Sequence, residues 1–246
     1  MKQQHTALHH QVLSALLLGS ALLAGSASAE VLPSFGNVDI KQTSVSGLSS
    51  GAFMTSQLYV AHSDIMVGAG VVAGGPYLCA QSNASMPMWE TASTTCMNPK
   101  TSFSGPNTKK LVEKARQYAA DKQIDSLDNL KDDHIYLFSG KNDKTVTTQV
   151  VDETNNFFTS VGVPKTSIKY DRASLNAGHA LITTDHYSEC SFNGTPYIND
   201  CDYDQASEII KQIYPGAKAP ASTATGKLLA FDQKEFIAPA QFARAA

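Results

Sequence analysis

The sequence predicts an α/β fold with a mostly parallel sheet and helices on both of its faces. Segments typical of strands alternate with segments typical of helices, which is the pattern of parallel strands joined by helical crossovers. Residues 66–73 form a continuous apolar run between turn residues, as expected for a strand buried on both faces. The hydrophobic fraction of 42 % and the charged fraction of 17 % exclude a disordered chain and a coiled coil.

Hydrophobic periodicity places the individual elements. Strands are predicted at residues 38–45, 66–73, 134–138, 166–170 and 227–231. Helices are predicted at residues 50–62, 107–123, 147–160 and 203–214, each with apolar residues at helical spacing. Residues 82–106 are polar and are predicted to form a loop.

The first 29 residues have the features of a cleaved signal peptide. Lys2 is their only Lys, Arg, Asp or Glu, an apolar run follows at residues 12–24, and Ala27-Ser28-Ala29 fits a cleavage site. This run is shorter than the roughly 20 residues needed to span a bilayer, and no other segment is long and apolar enough. The sequence therefore predicts a secreted or periplasmic protein whose mature domain comprises residues 30–246.

Export also bears on the four cysteines, because an oxidising compartment favours disulfides. Four cysteines allow three pairings, and we prefer the two local ones, Cys79–Cys96 and Cys190–Cys201, since each closes a plausible loop. The absence of a Cys-x-x-Cys motif makes zinc or thioredoxin-like chemistry a poor fit. The net charge of −3 argues against nucleic acid as a partner.

Residues 47–51, Gly-Leu-Ser-Ser-Gly, match the G-x-S-x-G nucleophile elbow. The motif requires a preceding strand and a following helix, and both are predicted here. Glycine two positions before and after Ser49 is expected to remove a side-chain clash and to tolerate unusual dihedral angles. Ser49 would then lie at the carboxyl end of a strand, where open α/β sheets bind their ligands. The alternative is a glycine-rich helix cap with Ser49 or Ser50 as its N-cap.

A serine nucleophile needs a base, and His179 is the preferred candidate. It lies in a loop after a predicted strand, whereas His134 begins a strand and should lie at the opposite edge. His62 ends the helix that follows Ser49 and is better explained as a cation at a helix C-terminus. His186, in a polar loop, is the second candidate.

The acid that orients the base is expected between the serine and the histidine in sequence. Asp143 follows the strand at residues 134–138 and gives the order Ser49, Asp143, His179 of α/β-hydrolases. A turn aspartate or helix N-cap is the alternative role for this residue. Three other aspartates fit less well, because two precede the strand and one lies within the next helix: Asp132, Asp133 and Asp152.

Taken together, these motifs resemble the secreted poly(3-hydroxybutyrate) depolymerases, in particular the group with a circularly permuted α/β-hydrolase catalytic domain. The resemblance extends over about residues 38–238. The segments that carry it are residues 46–54, 70–77 with Cys79, 139–140 with Asp143 and Val146, 176–180 and 196–201.

This resemblance implies an exported serine esterase that attacks the ester bonds of a bacterial storage polyester. By position, Ser49 is similar to the nucleophile, His179 to the base and Asp143 to the orienting acid, and the Ser50 N–H is similar to one oxyanion donor. The chemistry implied requires no metal and no cofactor. Its partner is a polyester or a short-chain ester, and no oligomeric state is implied.

The chain departs from this family after the histidine. In the family a His-Gly-Cys segment there is understood to provide the second oxyanion donor, and this sequence has no His-Gly pair. An α/β-hydrolase needs several elements before its elbow, yet only 19 residues separate the predicted cleavage site from Ser49. We therefore expect a sheet that is incomplete on its C-terminal side, with an elbow strand lacking neighbours on one side unless a partner or second copy covers it.

Two further functions remain open at the level of the sequence. A feruloyl or acetyl-xylan esterase, or another short-acyl carboxylesterase, would use the same three residues and differ only in its acyl pocket. An exported fragment without enzymatic activity is the second possibility, because the loss of one oxyanion donor typically costs about 10²–10³ in turnover.

Overall fold

The computed structural model describes residues 36–185, 187–223 and 225–232. Within them, Asn37–Ser222 form one compact unit. A second unit, Met1–Gly36 with Thr223–Ala246, lies mostly outside the described residues. The predicted signal peptide and the second candidate base, His186, also fall outside them.

Strands and helices alternate through most of the compact unit, as the sequence predicts. The strands are β1 (Thr43–Leu48), β2 (Met66–Val72), β3 (His134–Ser139), β4 (Ile168–Arg172), β5 (Leu181–Thr183), β6 (Ser188–Glu189) and β7 (Ile198–Asp200). The α-helices are α1 (Ser50–Ala61), α2 (Met88–Ser93), α3 (Thr108–Ala120), α4 (Thr148–Val161) and α5 (Gln205–Ile213). Short 3₁₀ turns occur at Ile40–Gln42, Cys79–Gln81, Leu127–Asp132 and Lys165–Ser167.

The main sheet has four parallel strands in the order β1-β2-β3-β4. Its register pairs Leu48 with Val72 and Val72 with Phe138, so the carboxyl ends of β1, β2 and β3 are level. A second, three-stranded sheet has the order β5-β7-β6 and is also parallel. The predicted parallel α/β architecture is confirmed, whereas the small second sheet was not predicted.

Helices cover both faces of the main sheet. Along β3, Ile135 and Leu137 pack into one hydrophobic cluster, and Tyr136 and Phe138 pack into the other. The first cluster contains buried residues of α1, α3 and α4, and the second contains buried residues of α5. Because successive strand residues point to opposite faces, this alternation explains why the central strands are apolar throughout.

Three predictions about local structure were wrong. The first strand begins at Thr43 rather than residue 38, because the Asp39 side chain accepts from the Lys41 N–H at 3.0 Å and caps a 3₁₀ turn. The predicted loop at 82–106 contains helix α2. Residues 227–231 form no strand, and Leu228 is fully exposed. A strand forms only where its backbone groups pair with those of a neighbouring strand, so a short apolar segment does not by itself specify one.

The strand that precedes Ser49 lies at an edge of the main sheet. β1 pairs with β2 on one side, and none of the described residues adds a strand on its other side. Its residues are half-buried or exposed, whereas six of the seven residues of β2 are buried. The expected uncovered elbow strand is therefore present within the described part of the chain.

Both preferred disulfides are present. Cys79 and Cys96 are joined with a Cα–Cα distance of 6.0 Å, and Cys190 and Cys201 with 4.7 Å. The first ties the turn after β2 to the segment that follows α2, and the second closes the loop that contains β7. No helix among the described residues has the length and apolar character to cross a membrane.

One buried carboxyl group lies at the amino end of β3. Asp133 is 6 % exposed, and the Tyr59 hydroxyl donates to its Oδ2 at 2.9 Å. The pKa of Asp133 is raised to about 6, because the effect of burial, together with the nearby Asp132 charge, outweighs the opposing Tyr59 hydrogen bond. The folded chain therefore binds this proton more tightly than the unfolded chain does.

This difference makes stability depend on pH. The favourable contribution of protonated Asp133 is complete below pH about 4 and is lost as the pH rises through about 6, a change of about 3 kcal/mol in the free energy of unfolding. In Asp133→Asn this loss should be absent, so the variant should gain stability relative to the wild type between pH 4 and 7. Urea unfolding across this range measures the difference. Asp132→Asn should show a smaller but still measurable loss, because it removes one of the two effects that raise the pKa of Asp133. An Asp133→Asn variant that follows the wild-type curve would contradict the effect of burial.

Candidate active site

Ser49 lies in a tight turn between β1 and α1. Its backbone has φ 56° and ψ −121°, which is unusual for a residue with a side chain. The Ser49 N–H donates to the Val72 carbonyl at 3.0 Å, and the Ser49 carbonyl accepts from the Phe53 N–H at 2.9 Å. The turn is thus held from the neighbouring strand and from the helix, and Ser49 is half-buried at the carboxyl end of β1.

This geometry has the form of a nucleophile elbow rather than a helix cap. Ser49 occupies the N-cap position of α1, yet its side chain makes no capping hydrogen bond. A hydroxyl that acted as a cap would accept from a backbone N–H of the first helical turn. The interpretation as a glycine-rich cap is therefore not supported at Ser49.

The two glycines of the motif are not equivalent. A Cβ added at Gly47 would lie 2.5 Å from the Gly51 carbonyl carbon and 2.6 Å from its oxygen, a contact that only glycine avoids. A Cβ added at Gly51 would meet no atom within 4 Å. The expectation that both positions need glycine is therefore wrong for Gly51. Neither glycine adopts a positive φ, and the unusual dihedral angles fall on Ser49 instead.

Asp143 and His179 form a buried pair. The His179 Nδ1 atom lies 2.8 Å from the Asp143 Oδ2 atom, and the two side chains are 4 % and 1 % exposed. An ionised carboxylate can only accept, so a neutral imidazole in this arrangement carries its proton on Nδ1 and leaves Nε2 free to accept one. Of the candidates considered from the sequence, these are the two that the structure brings together.

The other oxygen of Asp143 holds its own loop. Oδ1 accepts from the backbone N–H of Thr145 at 2.8 Å and from that of Val146 at 2.9 Å. This is the turn role that the sequence offered as the alternative, and the residue performs it alongside the contact with His179. The two backbone donors fix the carboxylate plane and so the direction in which Oδ2 faces.

The remaining candidates lie elsewhere. His62 is the C-cap of α1, and His134 begins β3 at the edge opposite Ser49. Asp133 contacts Tyr59 at that same far edge. The carboxylate of Asp152, on α4, accepts from the Arg172 guanidinium at 2.7 and 2.8 Å and from the Tyr170 hydroxyl at 3.0 Å.

Three of the seven described non-glycine residues with positive φ lie at the carboxyl edge of the main sheet. Ser49, Ala73 and Ala173 directly follow β1, β2 and β4, and their φ values are 56°, 50° and 49°. Each donates its N–H to a carbonyl of a neighbouring strand, at 3.0, 2.9 and 2.8 Å respectively. Residues with side chains rarely hold positive φ unless their surroundings enforce it, and such residues cluster at functional sites.

Two further groups face this edge. Ser50 is the first residue of α1, so its N–H has no acceptor within the helix and points away from the helix N-terminus. The Tyr197 ring packs edge-on against the His179 ring, with centroids 6.2 Å apart, and remains 44 % exposed. Among the described residues, no group of three His, Cys, Asp or Glu side chains is placed to hold a metal ion.

Comparison with known proteins identifies relatives of this chain among the poly(3-hydroxybutyrate) depolymerases. The chain is 40 % identical over 217 residues to a poly(3-hydroxybutyrate) depolymerase of Delftia acidovorans, which covers 87 % of this chain and 42 % of the relative. It is 35 % identical over 223 residues to a polyhydroxybutyrate depolymerase of Talaromyces funiculosus, which covers 87 % of this chain and 60 % of the relative. The chain is a relative of the poly(3-hydroxybutyrate) depolymerases. It spans about half the length of these two proteins.

Solved structures of polyhydroxybutyrate (PHB) depolymerases have a similar fold of the α/β-hydrolase type. One is a serine-to-alanine variant complexed with an R3HB trimer, with a TM-score of 0.65 and 31 % identity over 76 % of this chain and 56 % of that chain. Another is the PHB depolymerase from Penicillium funiculosum, with a TM-score of 0.65, 32 % identity and the same coverage. No protein-family model matches the chain.

Two residues at this candidate site were not identified from the sequence. Asn193 bonds to the loops of both Asp143 and His179, and Tyr197 packs against the imidazole. Asn193 precedes a glycine within a cysteine-bounded loop, which in sequence indicates no more than a turn. Tyr197 belongs to a segment that carried the family resemblance, and that alone could have marked it.

The difference between the two elbow glycines is directly testable. Gly47→Ala should destabilise the chain by about 1–3 kcal/mol, because the added methyl group overlaps the Gly51 backbone. Gly51→Ala should leave stability unchanged or raise it by up to about 1 kcal/mol, because alanine favours a helix and the space is open. Thermal unfolding of both variants measures this. Equal losses would contradict the elbow geometry described above.

Proposed function

We propose that this chain is an exported serine esterase that hydrolyses the ester bonds of poly(3-hydroxybutyrate) or its oligomers. The observation that carries the proposal is the buried Asp143–His179 pair, in which Oδ2 and Nδ1 are 2.8 Å apart. Ser49 directly follows β1, whose carboxyl end lies at the same edge of the sheet as that of β3. The similarity to PHB depolymerases over 87 % of the chain supports the substrate class.

Ser49 is the proposed nucleophile. β1 and β3 are separated by one strand, so their carboxyl ends lie about 10 Å apart. His179, held by the loop that follows β3, is suited to fill this gap with its free Nε2 facing Ser49. Nε2 would take the hydroxyl proton as the Ser49 Oγ attacks the ester carbonyl carbon.

The first half of the reaction forms an acyl-enzyme. The tetrahedral intermediate places negative charge on the former carbonyl oxygen, and the Ser50 N–H at the start of α1 is positioned to donate to it. The helix dipole of α1 adds to this stabilisation. His179 then passes its proton to the departing alcohol oxygen, and the ester bond to that oxygen breaks while the acyl group stays on Ser49.

The second half restores the free serine. A water molecule gives its proton to His179 and attacks the acyl carbon. As this intermediate collapses, the bond from the acyl carbon to the Ser49 Oγ breaks, His179 returns the proton to that oxygen, and a 3-hydroxyacyl carboxylic acid is released. Asp143 keeps the imidazole in the tautomer and orientation that both halves require, and stabilises the imidazolium that forms transiently.

Export is the second part of the proposal. Residues 1–29 would be removed after Ala29, and residues 30–246 would form the mature chain in the periplasm or outside the cell. The two disulfides of the compact unit support an oxidising compartment.

Replacing the proposed nucleophile separates chemistry from folding. Ser49→Ala should abolish both hydrolysis of PHB granules and labelling by a fluorophosphonate, because no other described residue occupies the elbow. Ser50→Ala is the matched control, since it removes the neighbouring hydroxyl but keeps the backbone N–H, and its labelling should persist. Mass spectrometry of the labelled peptide identifies the modified residue. A folded wild-type chain that takes no label would contradict the proposal and favour a fragment without activity.

Replacing Asp143 tests its proposed role as the acid that orients His179. Asp143→Asn should lower kcat by about 10⁴, because an amide N–H facing His179 favours the wrong imidazole tautomer. Asp152→Asn, which alters a carboxylate on α4 bonded to Arg172, should lower kcat less than tenfold. Steady-state kinetics on a soluble butyrate ester measure both. Similar rates for the two variants would remove Asp143 from the proposed triad.

Substrate class is tested on the wild-type chain. Release of 3-hydroxybutyrate from PHB or its oligomers is expected to exceed hydrolysis of acetyl-xylan and feruloyl esters. The reverse preference would assign the same triad to a different carboxylesterase.

A further inference from the structure

We propose that Asn193 is a positioning residue that fixes the position of Asp143 relative to His179. The inference rests on the proposed function, since it assigns a role within that triad. Asn193 lies in the loop closed by the Cys190–Cys201 disulfide, a segment of the chain separate from both residues.

The Asn193 side chain uses its full hydrogen-bonding capacity. Its Oδ1 accepts from the His179 backbone N–H at 3.0 Å and from the Lys144 backbone N–H at 3.2 Å. Its Nδ2 donates to the Asn142 carbonyl at 3.1 Å and to the Ser191 carbonyl at 3.1 Å. A primary amide has two donors and two principal acceptor sites, and here all four are occupied.

The choice of partners is what indicates a positioning role. Asn142 and Lys144 are the two chain neighbours of Asp143, so the Asn193 amide is hydrogen-bonded to the backbone on both sides of Asp143. The same amide bonds to the backbone N–H of His179 itself. This single rigid planar group therefore ties the two residues together, in addition to the backbone hydrogen bond from the Asn142 N–H to the Ala177 carbonyl at 2.9 Å.

The surrounding loops are packed tightly enough to transmit this constraint. A Cβ added at Gly178 would lie 2.0 Å from the Phe192 carbonyl oxygen, so the chain beside His179 runs directly against the chain beside Asn193. The Gly178 N–H donates to the Cys190 carbonyl at 2.8 Å, and the Asn142 side chain donates to the Ser191 carbonyl at 3.0 Å.

Asn199 provides a matched control within the same loop. It is fully buried, and its Nδ2 donates to the Cys190 carbonyl at 2.9 Å and to the Phe192 carbonyl at 2.8 Å. It therefore supports the Cys190–Cys201 loop without bonding to the backbone of Asp143, His179 or their chain neighbours. Both Asn193→Ala and Asn199→Ala should loosen this loop. Only Asn193→Ala should also displace His179 relative to Asp143.

Kinetics on a soluble butyrate ester form the first measurement. Asn193→Ala should lower kcat about 10- to 100-fold with KM within about twofold, because a small misplacement of a base affects the transition state more than binding. Asn199→Ala should lower kcat less than threefold in the folded fraction. Equal losses of kcat in the two variants would overturn the positioning role.

The ¹⁵N chemical shifts of the His179 imidazole form the second measurement, and they need no ester hydrolysis. The wild type and Asn199→Ala should hold the Nδ1–H tautomer, and Asn193→Ala should shift towards Nε2–H. An unchanged tautomer in Asn193→Ala would overturn the inference. If the tautomer shifts as stated but the wild type hydrolyses no ester, the proposed function fails and the positioning role stands.

If Asn193→Ala does not fold, Asn193→Asp provides a second test. Asn193→Asp has the same shape and keeps an acceptor for the His179 and Lys144 N–H groups. It places an oxygen against the Asn142 and Ser191 carbonyls, where a donor is needed. It should show the same loss of kcat and the same change of tautomer, and a wild-type result would contradict the inference.

Discussion

In-register parallel pairing of β1, β2 and β3 is the constraint on which the candidate site depends. Because Leu48, Val72 and Phe138 lie level, the segments that follow these strands emerge at one edge of the sheet. Ser49 follows β1 directly, and the loop with Asp143 follows β3. A slip of register by one residue would also turn the apolar side chains of a central strand to the wrong face, so core packing protects the alignment of the site.

The candidate site residues at this edge are held in two different ways. Ser49 is fixed by its backbone, through strained dihedral angles and the close approach of Gly47 to Gly51. Asp143 and His179 are fixed by hydrogen bonds among three loops. Burying a carboxylate is costly unless its oxygens are satisfied, and here Oδ1 has two backbone donors while Oδ2 faces the imidazole. The polar contacts that orient the pair are the same contacts that make its burial possible.

Much of this architecture could be predicted from local sequence. The apolar run of β2 and the G-x-S-x-G motif reflect short-range constraints, and so does the pairing of nearby cysteines. Asn193 could not be found in this way, because its partners are about 14 and 50 residues distant in sequence. The 3₁₀ turn before β1 depends on competition from the Asp39 cap. A strand at 227–231 would depend on pairing with a distant segment, which local sequence does not specify. Position 51 has room for a side chain because a Cβ there would point into open space, and the motif alone does not show this direction.

The most direct test of the account is a crystal structure of the chain after reaction with a fluorophosphonate. A phosphoryl group is expected on the Ser49 Oγ, with one of its oxygens accepting from the Ser50 N–H. The His179 Nε2 atom should lie about 3 Å from the Ser49 Oγ, and Asp143 should remain on Nδ1. A phosphoryl group on another residue, or an imidazole turned away from Ser49, would contradict the assignment of these residues to one site.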